Sequence, residues 1–141
     1  GDLVREIHVK PVIYFQTAYM FLCMAWNLIG VWQIRNGVPS LGPTASLMTV
    51  SVFIFLALLL MFSVKKHWSG VYLGLSLLLA LLAFSAIYGG FSKDPNLWPS
   101  ELWRYGGISV NLVGVLGFAM LVFRLSTRGF RRGNTGSTGV G

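Results

Sequence analysis

The sequence predicts an all-α integral membrane protein: a four-helix transmembrane bundle with both termini on the cytoplasmic side. Three observations carry this reading. Hydrophobic residues make up 55% of the 141 positions and charged residues only 11%, less than half of the roughly 25% that a soluble domain uses to face water. Four apolar stretches each reach the roughly 20 residues that a helix needs to cross a hydrocarbon core about 30 Å thick. The eleven Lys and Arg are unequally shared between the two ends of those stretches. So apolar a chain cannot be wholly disordered. Cys23 is the only cysteine, which excludes an internal disulfide framework.

The first span is expected at residues 12–34. With about 23 residues it is too long for a typical signal-peptide core, and no clean small-x-small cleavage site follows it, so it reads as a retained span. Arg35-Asn36-Gly37-Val38-Pro39 and then Gly42-Pro43 end it. The second span, residues 44–64, carries Thr44, Ser46, Thr49 and Ser51 in its outer third, before the wholly apolar VFIFLALLLMF at 52–62. That unbroken run excludes a barrel strand, which alternates in polarity, and points the helix at lipid or at a hydrophobic partner. Lys65-Lys66-His67 makes a tight charged turn into the third span, residues 70–91. A longer connection with Pro95 and Pro99 precedes the fourth span, residues 106–125. These four spans form a single domain over residues 1–125. Residues 126–141, basic and then Gly/Ser/Thr-rich, read as a flexible tail.

An even number of spans places both termini and the middle turn together. That side holds Arg5, Lys10, Lys65, Lys66, Arg124, Arg128, Arg131 and Arg132, against Arg35, Lys93 and Arg104 on the other. Basic residues mark the cytoplasmic side. Their position beside span ends suits anionic headgroups better than nucleic acid. Lys65, Lys66, Arg128, Arg131 and Arg132 are therefore expected to dock lipid or a partner, and no nucleic-acid partner is expected.

Residues three and four apart share a helix face. On the first span Gln16, Cys23, Asn27 and Gly30 form one polar-to-small stripe, flanked by Tyr19 and Met20. Gly70-x-x-x-Gly74 opens the third span with the small-residue spacing that lets helix backbones approach. On the fourth span Asn111 and Gly114 belong to a second polar-and-small stripe. These residues are candidates for helix packing or for lining a path. The two stripes suggest that spans one and four meet, with Asn27 and Asn111 as hydrogen-bond partners. In the connection after span three, Trp98, Trp103, Arg104 and Tyr105 form a candidate interface loop at headgroup level, and Ser100 or Pro99 is a possible start for a short interfacial helix.

No Asp, Glu, Lys, Arg or His falls in the middle of a span, although such residues mark proton relays and coupled transporters. No haem-ligand pair, zinc ligand set or phosphate loop is visible, and Cys23 has no activating base nearby in sequence. No catalytic residue, metal or cofactor is expected, though a lipid, pigment or quinone held by apolar contacts leaves no sequence signature. The expected function is that of a small accessory subunit in a larger membrane complex, with membrane lipids and other subunits as partners. A small homo-oligomeric channel or transporter is the alternative, ahead of a membrane enzyme.

Overall fold

The computed structural model describes residues 10–138, with side chains through 127. Among the described residues every element is helical: α1 (Lys10–Arg35), α2 (Leu47–Lys65), α3 (Ser69–Ser92), a short 3-10 turn (Pro95–Leu97) and α4 (Glu101–Thr138). Four helices are long and apolar enough to cross a membrane. Each packs against its neighbours in chain order, and α4 closes the ring on α1. One end of the bundle, the turn end, carries Lys10 and the α2–α3 turn. The other, the loop end, carries both long connections.

The ends of the helices follow from local chemistry. Beyond Arg35 the Gly37 N–H bonds the Ile34 carbonyl at 3.2 Å and the Val38 N–H bonds the Gln33 carbonyl at 2.9 Å. This closure needs a left-handed residue, which Gly37 supplies at φ 69°. The α2–α3 turn uses the same geometry with His67 at φ 59°, as the Trp68 N–H bonds the Ser63 carbonyl at 2.8 Å. Ser46 caps α2 by accepting the Thr49 N–H at 3.1 Å, so that helix starts at Leu47 rather than at 44. The fourth helix begins at Glu101, ahead of the expected span start at 106, because Ser100 Oγ accepts the Trp103 N–H at 3.4 Å and the Ser100 carbonyl accepts the Arg104 N–H at 3.2 Å; the Trp26 ring lies against Gly106 and Gly107 within it. The turn that begins after Ser100 is thus the first turn of α4 and not a separate interfacial helix. At its other end α4 runs past position 125 to Thr138.

The core takes one face of each helix. On α1 it includes Val12, Gln16, Tyr19, Cys23, Asn27 and Gly30, the expected stripe with Tyr19 at its centre. On α2 it is Val50, Phe53, Leu56, Leu60 and Ser63, while Phe55 and Met61 stay exposed. The apolar helix thus has an inner and an outer face although its sequence distinguishes neither. Toward the turn end the centre is solid: Val12, Met20, Leu60, Tyr72 and Leu121 are at most 1% exposed.

Candidate functional site

Three groups of hydrogen-bonded polar side chains lie along the bundle axis. Nearest the turn end, Gln16 reaches across the centre from α1 to the diagonal helix α3. The Tyr72 hydroxyl donates to Gln16 Oε1 at 2.9 Å, and Gln16 Nε2 donates to Ser76 Oγ at 2.8 Å. Ser76 Oγ in turn donates to the Tyr72 carbonyl at 2.8 Å. All three side chains are buried, so each bond offsets a desolvation cost that neither partner could carry alone. Tyr72 and Ser76 are a turn apart on one face of α3, the spacing that makes the double contact possible.

At mid-height the Tyr19 hydroxyl donates to Asn111 Oδ1 at 2.7 Å, and Asn111 Nδ2 donates to the Gly107 carbonyl at 2.8 Å. The Tyr19 ring is also edge-on to Phe53 at 6.1 Å. Gly114 makes room for it: an added Cβ there would sit 2.9 Å from two ring carbons. The third group lies toward the loop end. Asn27 Nδ2 donates to the Cys23 carbonyl at 2.8 Å, and Asn27 Oδ1 accepts the Ser46 N–H at 3.2 Å. Asn27 therefore anchors the start of α2 to α1. Gly30 lets that segment lie flat, since a Cβ there would run into the Ala45 methyl.

Spans one and four do meet, but Asn27 and Asn111 do not bond each other, because Tyr19 occupies the position across from Asn111. Gly70 and Gly74 face open space, with nothing within 4 Å of an added Cβ among the described residues. Cys23 is buried. The aromatic loop turns partly inward. Trp103 stands edge-on to Trp26 at 5.8 Å, and Trp98 approaches Gly42. Arg104 donates through Nε to the Gly90 carbonyl at 2.7 Å and pairs with Glu101 at 2.7 Å. Tyr105 remains exposed. Lys65 and Lys66 are exposed at the turn end, whereas the side chains of Arg128, Arg131 and Arg132 lie outside the described residues, as does Arg5.

Between the second and third polar groups the bundle holds a chamber of about 190 Å³, lined by residues of all four helices. It adjoins a vestibule of about 440 Å³ at the loop end, and Trp26, Thr44, Ala86, Gly107 and Asn111 line both. Trp26, Tyr72 and the chamber were not legible in the sequence. Trp26 adjoins Asn27 and Tyr72 stands four before Ser76, but neither position shows which helix it will meet. No three of His, Cys, Asp or Glu come together among the described residues. No protein-family model, curated protein or solved structure matches the chain.

Proposed function

We propose that the chain is a multi-pass membrane protein, inserted with its turn end and both termini cytoplasmic, and that it serves as a small accessory subunit of a larger membrane complex. Insertion is supported by the outward faces of the helices, where Phe21, Phe55, Leu81 and Phe123 stand exposed; water would penalise this surface, and lipid does not. Orientation rests on the basic residues, eight at the turn end and tail against three at the loop end. The candidate span of α4, Glu101–Thr127, is about 40 Å long at 1.5 Å per residue. That exceeds the hydrocarbon core, so its first turn, with Trp103 and Tyr105, reaches the headgroup level.

The observation that carries the accessory reading is the contrast between inside and outside. Gln16, Tyr72 and Ser76 bond one another amid the buried Val12, Met20, Leu60 and Leu121, so among the described residues these polar groups face protein and not a passage. Outside, the bare Gly70–Gly74 strip on α3 offers a close-packing face to another helix. Gentle detergent extraction at native expression, followed by native gel electrophoresis and mass spectrometry, tests it. Stoichiometric co-migration with unrelated membrane subunits is the expected result. Gly70→Leu with Gly74→Leu should abolish that co-migration and leave the melting temperature of the isolated chain unchanged. A monomer or a self-oligomer overturns the reading, and a self-oligomer restores the channel alternative.

A further inference from the structure

We infer that the chamber and vestibule at the loop end form a binding site for an amphiphile with a neutral carbonyl head, the carbonyl seated between Asn27 and Asn111. The two compartments together reach the size range of small-molecule sites, about 300–1,000 Å³. Their walls are mainly apolar and aromatic, including Tyr19, Trp26 and Phe53 in the chamber and Tyr88 and Trp98 in the vestibule.

The balance of donors and acceptors selects the head. Each amide side chain has two N–H groups and one carbonyl oxygen. In Asn27 and in Asn111 the oxygen already accepts a bond, from the Ser46 N–H and the Tyr19 hydroxyl respectively, while one N–H goes to a helix carbonyl. Each amide therefore keeps an N–H to offer and has its oxygen engaged. Thr44 adds a hydroxyl to both compartments. The indole nitrogens of Trp26 and Trp98 converge on Gly42, lying 3.1 and 3.9 Å from the position of an added Cβ, and an indole nitrogen only donates. No carboxylate lines either compartment, and Lys93 is the single charged lining residue, in the vestibule. A cation finds no counter-charge here. An anion would lose its hydration in a chamber with no charge of its own. A neutral acceptor on an apolar body satisfies both conditions. Two sources share this chemistry, the ring carbonyl of a quinone and the ester carbonyl of a lipid.

The test uses the full chain purified in detergent. A decyl-substituted benzoquinone and a short-chain diacylglycerol are titrated separately and read by native mass spectrometry. Saturable one-to-one binding of either supports the site, and which of the two binds identifies the source. Ala86→Phe, which fills the space shared by chamber and vestibule, should weaken binding about tenfold or more. Thr44→Val should weaken it about threefold to tenfold, the effect of one hydrogen bond. A diazirine-bearing derivative of the bound probe should label peptides containing Trp26 or Asn111 in the unaltered chain, a readout that needs no variant. Absence of saturable binding by both probes, or labelling confined to the outer helix faces, overturns the inference. It does not depend on the accessory role: a chain that binds the probe and migrates alone keeps the site and loses that role.

Discussion

At the scale of single residues, glycine carries two opposite meanings in this protein. Gly114 faces the buried Tyr19 ring, with ring carbons 2.9 Å from where its Cβ would stand, and Gly70 faces nothing within 4 Å among the described residues. One substitution therefore has two outcomes. Gly114→Ala forces a fixed, fully buried ring to move and should cost about 1–3 kcal/mol. Gly70→Ala meets no atom of the described residues and removes backbone freedom within a helix, so it should stabilise by up to about 1 kcal/mol. Thermal unfolding of the two variants in the same detergent compares them directly, and equal shifts would contradict the packing described. Sequence spacing placed both glycines on helix faces. It did not show which face was covered, because the covering side chain comes from another helix.

At the scale of elements, hydrogen bonds decide which helices are tied together. Gln16 joins α1 to the diagonal α3, and Tyr19 joins α1 to α4. A double-mutant cycle on Gln16→Leu and Tyr72→Phe should give a coupling near 0.6 kcal/mol, the rough average for such bonds in a membrane, and up to about 1.7 kcal/mol. A cycle on Asn27→Leu and Asn111→Leu should give none, since each amide bonds a different partner. Unfolding equilibria in detergent measure both, and a sizeable second coupling would refute the assignment of partners. The polar stripe on α1 was readable from its spacing. Its partners were not, because Tyr72 and Ser76 are separated from Gln16 by 56 and 60 positions and α1 does not neighbour α3 in the ring.

At the scale of the whole molecule, the two ends of the bundle should prove chemically distinct. In a Cys23→Ala background, Asn96→Cys at the loop end should react with an impermeant thiol reagent on intact cells. Lys66→Cys at the turn end should react only after permeabilisation. The opposite pattern would reverse the proposed orientation. The buried native Cys23 should stay unlabelled in folded protein. That the chain holds four helices long and apolar enough to cross a membrane was legible in the sequence, because length and hydropathy depend on residues adjacent along the chain. Tertiary structure alone decided the inner face of α2, the partners of the buried amides and the chamber beside Trp26. The physical reason is that α2 is apolar on every side from Val52 to Phe62, so that stretch holds no contrast between a core and a lipid surface. Only the shapes of the neighbouring helices separate the two, and those shapes meet at no single place in the chain.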